Sequence, residues 1–137
     1  MIRVVSGALF DSENRVLMGR RKASGYRPDL WELPGGKIEE GELSQTALER
    51  EWMEECGCVV RTGSLISGAV LHLDISFIIE LYEVKLAAPE FGPNAPQAID
   101  HQALRWVDPY EAVKFMPCSP AFYLHFPQLR EFIRSVV

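Results

Sequence analysis

The sequence predicts an α/β domain in which strands interleave with two main helices to give a mixed sheet packed between helices. Three observations carry this. Residues 2–10 and 75–86 are β-branched or aromatic, apolar and in part alternating, which is strand patterning. Residues 44–56 place Leu48, Trp52 and Cys56 at i, i+4 and i+8, a single helical stripe that stops before Gly57. Residues 121–135 carry Phe122, Leu124, Phe126, Leu129, Phe132 and Ile133 in a partly helical period.

The 137 residues suffice for one domain with a real core and give no case for two, so residues 1–137 are read as a single domain. With 47% apolar and 24% charged residues, the composition is that of an ordinary globular chain. A net charge of −5 argues against a broad grip on nucleic-acid polymer. It leaves open a small phosphate ligand bridged by metal ions. The opening run MIRVVSGALFDSENR is too short in apolar residues for a signal peptide, and no stretch reaches membrane-span length. Three cysteines, with Cys56 and Cys58 too close for an easy bridge, fit a reducing, cytoplasmic setting. Cys56 and Cys58 lack a second Cys/His pair and read as small buried apolar groups.

In chain order, Ile2 to Phe10 is a buried strand and Asp11–Asn14 a turn. Arg15 to Arg20 is the returning strand of a hairpin. Arg20, Arg21 and Lys22 form a basic run that is either a solvated strand end or an anion contact. Ala23 to Leu30 is a polar loop long enough to fold over a ligand. Trp31-Glu32-Leu33 is a short extended piece. Pro34-Gly35-Gly36 reads as a turn whose glycines allow positive φ and close backbone approach. The helix from Ser44 to Cys56 starts behind Leu43, a poor N-cap, so the preceding loop is expected to hold its start. Val59 to Ile66 is a strand, Ser67 to Asp74 a weaker one, and Ile75 to Leu86 a long one. Residues 87–100 hold three prolines and a glycine and read as a loop. Gln102 to Val107 is the last strand. Asp108-Pro109 starts a short helix to about Phe115, and Pro117–Pro120 caps the final one.

The densest chemistry lies between Gly36 and Cys58. Seven of the 19 acidic residues fall here: Glu39, Glu40, Glu42, Glu49, Glu51, Glu54 and Glu55. Charges this crowded repel, so a cation is the natural partner. Glu51, Glu54 and Glu55 stand at i, i+3 and i+4, within roughly 100° of one another around a helix. Three carboxylates on one face behind a glycine-rich turn suit a hard cation. Ala47 is placed among them, small enough to leave room. Glu39, Glu40 and Glu49 receive no role and read as solvated.

As a pattern the segment is Gly36, five residues, Glu42, seven residues, Arg50-Glu51-Trp52, one residue, Glu54-Glu55, one residue, Gly57-Cys58. This resembles the signature of the Nudix hydrolase family, with Trp52 and Cys58 standing where smaller aliphatic residues are usual. The order of elements around it, through Trp-Glu-Leu-Pro-Gly-Gly and Arg-Trp-Val, is similar to the short MutT-like members along most of the chain. The fold implied is a Nudix-type α/β/α sandwich with a mixed central β-sheet.

The resemblance also implies an activity, a cofactor and roles. The activity is hydrolysis of the pyrophosphate linkage of a nucleoside triphosphate or related nucleoside diphosphate derivative, with Mg²⁺ or Mn²⁺. Alternatives are a nucleotide-sugar or ADP-ribose pyrophosphatase and a non-catalytic nucleotide-binding module. By position, Glu51, Glu54, Glu55 and the Gly36 carbonyl would be metal ligands. Arg50 would pair with Glu42 and brace the loop against the helix; read from spacing alone, it is an i,i+4 partner of Glu54. The general base would be Glu54, with Glu55, Glu90, Asp100 and His101 as the other candidates. Arg21, beside Arg20, falls at a basic contact to nucleotide phosphates. Leu33 and the Cys118-Ser119 turn would flank the base. Members that read oxidised guanine carry Asn or Asp in that turn, which argues against 8-oxo-dGTP here. The partner expected is a small nucleotide, with no membrane, the protein being a monomer or homodimer. No added segment precedes the first strand, which argues against the dimeric ADP-ribose pyrophosphatases.

Overall fold

The computed structural model describes residues 1–87 and 94–136. Among these residues seven strands and three helices follow in the order β1 (Ile2–Leu9), β2 (Val16–Arg20), β3 (Trp31–Glu32), β4 (Gly35–Lys37), α1 (Ser44–Cys56), β5 (Val60–His72), β6 (Ser76–Leu86), β7 (Ala103–Val107), α2 (Pro109–Phe115) and α3 (Pro120–Val136). Together they make an α/β/α sandwich.

A four-stranded mixed sheet runs β4-β1-β6-β5, and a three-stranded sheet runs β3-β2-β7. β1 lies parallel to β6, from Ile2 opposite Phe77 to Leu9 opposite Val84, and antiparallel to β4. β1 is apolar on both faces, which suits the interior of a sheet. Val5 and Leu9 pack towards α1 with Leu48, Trp52, Cys56 and Cys58. Ala8 packs the other way with Phe122, Leu129 and Ile133 of α3.

The expected hairpin of the first two strands is therefore corrected. Both edges of β1 are taken by β4 and β6, so β2 leaves to pair with β3 and β7. The turn itself is well made. Asp11 accepts from the backbone N–H groups of Glu13 and Arg15, both at 2.9 Å, but only the single bridge Phe10–Val16 follows it. Two further expectations change. Gly35 and Gly36 lie in β4 rather than in a turn. Neither has positive φ; the positive-φ glycines among the described residues are Gly41 and Gly57. The strands expected over 59–66 and 67–74 are one strand, β5, whose register shifts between Thr62 and Ser67. Bulges of this kind bend a strand without ending it.

α1 follows its sequence closely. Ala47, Leu48, Trp52 and Cys56 are buried, so Ala47 belongs to the core and not among the glutamates. Gly57 closes the helix at φ 64°, its N–H donating to the Met53 carbonyl at 3.1 Å. Leu43 supplies no side-chain cap. Trp52 is accommodated by an absence opposite: a Cβ on Gly7 would lie 2.7 Å from the indole nitrogen. No helix among the described residues is long and apolar enough to cross a membrane.

Candidate active site

The C-terminal half of α1 faces β4, and Arg50 is the hub of what they build. Its Nε and Nη2 donate to the two Glu42 oxygens at 2.8 and 2.9 Å. Nη1 donates to Glu51 Oε1 at 2.9 Å and reaches Glu54 at 3.4 Å. Nη2 also donates to the Lys37 carbonyl at 3.1 Å. Arg50 thus ties the loop before α1, the β4 end and the helix face into one network, as a forked guanidinium can and an ammonium cannot. Its hydrogen bonds hold the Glu42 carboxyl down to about 2. Glu42 also closes the loop ahead of the helix by accepting from the Glu39 N–H at 3.0 Å.

The three glutamates of the face differ in setting. Glu54 is exposed, its side chain 59% accessible. Glu51 is largely covered and paired with Arg50, and burial still pushes its carboxyl upward. Glu55 accepts from the Gly35 N–H at 3.3 Å. Burial, then the charges of Glu32 and Glu51, raise it to about 8. Gly36 lies against Glu51 so closely that a Cβ there would fall 2.5 and 2.6 Å from the carboxylate oxygens.

The carboxylates share a face but are not drawn together. Among the described residues no three His, Cys, Asp or Glu side chains are gathered as an ion would require. The donor chemistry nevertheless fits a hard divalent cation. It is all oxygen, and the crowding of Glu32, Glu51 and Asp100 around Glu55 is a field that such an ion relieves.

Beside this face opens a cavity of about 690 Å³, a size usual for small-molecule sites. Gly35, Gly36 and Glu55 line it, as do Ser119, Phe122 and His125. Ile2, Leu71, Phe77 and Ile79 form an apolar wall. Arg21, Lys22, Arg27 and Lys37 also reach it.

The residues singled out from sequence divide accordingly. Arg21, Leu33 and Ser119 line the cavity. Arg20 does not; it reaches Asp29 at 3.5 Å on the surface. Cys118 is buried, its thiol donating to the Ala112 carbonyl at 3.5 Å, so the chain turns it into the core. Asp100 and His101 line the cavity, and Glu90 lies outside the described residues. Arg21 is already engaged, donating to Glu32 at 2.9 Å and to the Tyr26 carbonyl at 2.7 and 2.9 Å.

Three groups escaped the sequence reading. Glu32 joins Arg21 to His101, whose Nε2 lies 2.9 Å from its second oxygen. Its place in Trp-Glu-Leu-Pro-Gly-Gly, three residues before Gly35, was the available signal. Glu49, expected to be solvated, accepts from Thr62 N and Oγ1 at 3.1 and 2.9 Å and fastens α1 to β5. His125, on the apolar face of α3, offered no signal distinguishing it from a core residue.

The sequence model of the NUDIX domain matches residues 1–131. The CTP pyrophosphohydrolase of Escherichia coli (strain K12) is 34% identical over 128 residues, 88% of this chain and 85% of that protein. The 8-oxo-dGTP diphosphatase of Proteus vulgaris is 30% identical over 83 residues, 57% of this chain and 74% of the relative. The crystal structure of a MutT protein from Methanosarcina mazei Go1 superimposes with a TM-score of 0.79, at 20% identity, covering 98% of this chain and 94% of that one.

Proposed function

The chain belongs to the NUDIX family of hydrolases, and on that premise we propose that it hydrolyses the pyrophosphate linkage of a nucleoside triphosphate, with Mg²⁺ or Mn²⁺ and residues 1–137 acting as one domain. The observation that carries the proposal is the acidic face of α1, whose Glu55 lines a cavity that also presents Arg21, Lys22, Arg27 and Lys37. A site with both carboxylates and cations suits a polyphosphate whose charge is shared between a metal and basic side chains. Of the triphosphates, a cytidine nucleotide is the first expectation, from a relative that is 34% identical over 88% of the chain. Oxidised guanine is disfavoured because Cys118 is buried and only Ser119 of that turn faces the cavity.

Glu51, Glu54, Glu55 and the Gly36 carbonyl would hold the ion. When bound, it would neutralise the diphosphate and lower the pKa of the attacking water. Glu54, the exposed member, is free to take a proton from that water. Arg50 keeps Glu51 and the β4 end in place around it. Arg21, fixed by Glu32 and the Tyr26 carbonyl, directs positive charge at the phosphates.

The test is a panel of nucleoside triphosphates, nucleotide sugars, dinucleoside polyphosphates and ADP-ribose, scored by kcat/KM with Mg²⁺ and by product. Hydrolysis of a triphosphate is expected to vanish in excess EDTA and in Glu54→Gln and Glu55→Gln with the fold intact. Full turnover in EDTA, or near-normal activity of both variants, overturns the assignment. Preference for a nucleotide sugar or ADP-ribose would move the substrate and keep the site.

A further inference from the structure

Glu32 is a carboxylate in a cavity assigned to a polyphosphate, and neither the ion nor the proton transfer of the proposed hydrolysis uses it. After burial, its charge is the largest influence raising the Glu55 carboxyl. A phosphate arriving beside it would be repelled in the same way. The structure holds this charge from two sides. One Glu32 oxygen accepts from Nη1 of Arg21 at 2.9 Å, and the other lies 2.9 Å from Nε2 of His101.

His101 has a seat made for this contact. Its side chain is 3% accessible. Gly19 and Glu32 are cross-strand partners in the β2–β3 pair. A Cβ on Gly19 would fall 2.6, 2.7 and 2.9 Å from Cδ2, Cγ and Nδ1 of His101. Three ring atoms at nearly one distance mean that the imidazole lies flat over Gly19, in space that any side chain there would fill. From that seat Nε2 reaches across to Glu32. The following residue fixes the segment to the end of β2: the Gln102 N–H donates to the Arg20 carbonyl at 2.9 Å, and its side-chain amide to the Arg21 carbonyl at 2.6 Å. An ionised carboxylate only accepts, so Nε2 carries the proton of its bond to Glu32. Nδ1 is buried with no partner among the described residues. No hydrogen-bond path leads on from the ring, which suits holding and not proton transfer.

Arg21 is the group on which this pair acts. A guanidinium has five N–H donors. In Arg21 the Nε–H and one N–H of Nη2 go to the Tyr26 carbonyl, and one N–H of Nη1 goes to Glu32. Among the described residues one N–H on each terminal nitrogen is left over, and Arg21 lines the cavity. We propose that His101 is a positioning residue: by holding the second oxygen of Glu32 it keeps that carboxylate turned to Arg21, so that the guanidinium presents its remaining N–H groups to the substrate's phosphates. The inference rests on the nucleotide-hydrolase reading above. Without the His101 bond the Glu32 carboxylate turns freely about its broad last torsion. Arg21 then loses its support on one side, and an unheld negative charge faces the phosphates.

The experiment is a double-mutant cycle on His101 and Arg21, read as KM and kcat on the nucleoside triphosphate that wild type turns over fastest. His101→Phe keeps a flat ring over Gly19 and removes the nitrogen. It should raise KM by about tenfold and leave kcat within about threefold. In an Arg21→Ala background the same change should have no further effect on KM. His101→Gln, which can again donate to Glu32, should recover part of the loss. An equal rise in KM with and without Arg21 overturns the inference while the hydrolase reading stands. A fall in kcat at unchanged KM also overturns it, because His101 would then act in the chemical step. Hydrolysis of no nucleoside triphosphate by wild type removes the hydrolase reading and the inference with it. Should His101→Phe fail to fold, wild type with isotope-labelled histidine is titrated with inorganic triphosphate without metal. A shift of the His101 Nε2–H resonance that is lost in Arg21→Ala supports the linkage. An unmoved resonance, or a shift that survives Arg21→Ala, refutes it.

Discussion

Two adjacent glycines are predicted to fail in opposite ways when changed to alanine. At Gly36 the new Cβ would fall 2.5 and 2.6 Å from the Glu51 oxygens, where 3.4–4 Å is ordinary contact. The carboxylate must retreat by roughly 1 Å, and it is the free end of a flexible side chain, so the backbone need not follow. Retreat breaks its 2.9 Å bond to Arg50. The stripe that holds α1, Leu48, Trp52 and Cys56, is untouched. A misplacement of about 1 Å at a reacting centre can cost on the order of 10²-fold in rate. Losing one bond in a half-open network costs about 1 kcal/mol, or roughly 4 °C for a chain of this size. At Gly35 the Cβ would instead meet the Val5 carbonyl, with Ser6 Cα at 2.7 Å. Both are backbone, so the β1–β4 pairing must open, at a cost of about 3 kcal/mol. Measured together, Gly36→Ala should lose about 10² in kcat with its melting temperature nearly kept, and Gly35→Ala should lose stability first. Gly36→Ala with kcat within threefold of wild type would refute the placement of Glu51 at the reacting centre.

Three further outcomes are expected. Glu49→Ala should cost about 1–2 kcal/mol in urea unfolding, because Thr62 N and Oγ1 lose their acceptor, and kcat should stay unchanged; a kcat defect at unchanged stability would contradict the fastening role. Arg21→Ala should raise KM for the nucleotide more than it lowers kcat, and unchanged kinetics would return Arg21 to a loop-holding role through Tyr26 and Glu32. His125 makes stability pH-dependent. Its folded value, about 4, lies below the ordinary 6.5, so the unfolded chain takes up the proton first as pH falls. Stability should drop between about pH 6.5 and 4 by on the order of 3 kcal/mol, a component missing from His125→Leu in urea titrations at pH 7 and 4.5.

What could be read from the sequence was local in origin. The α1 stripe and the Gly57 stop follow from spacing within one helix, the Glu42–Arg50 pair was implied by the family resemblance, and the structure contains all three. Strand pairing did not follow. Side-chain alternation reports which faces of β1 are buried and says nothing about its edges, so its parallel partner β6, more than 70 residues away, was invisible and a hairpin with β2 was the economical guess. The same limit hid Glu32, whose partners are Arg21 and His101, and Glu49, whose partner lies on β5. A carboxylate on a helix surface looks solvated until the strand packed against it is known. His125 was hidden by its own setting, since a histidine in an apolar stripe looks like core until the cavity beside it is seen.

The departure at Trp52 gains its meaning from such a long-range contact. An indole in a slot usually filled by a smaller aliphatic residue would be expected to loosen the packing behind the glutamates. Here Gly7 removes the side chain that would collide with it. The indole N–H then donates to the Pro34 carbonyl at 3.1 Å, an oxygen that also accepts the Gly7 N–H at 2.9 Å. One carbonyl thus pins α1 and β1 to the residue directly before Gly35 and Gly36. Those glycines carry the N–H that meets Glu55 and the open space that admits Glu51. The larger side chain therefore adds a buried hydrogen bond at the point where β4 meets the acidic face, and helps set the distance between them.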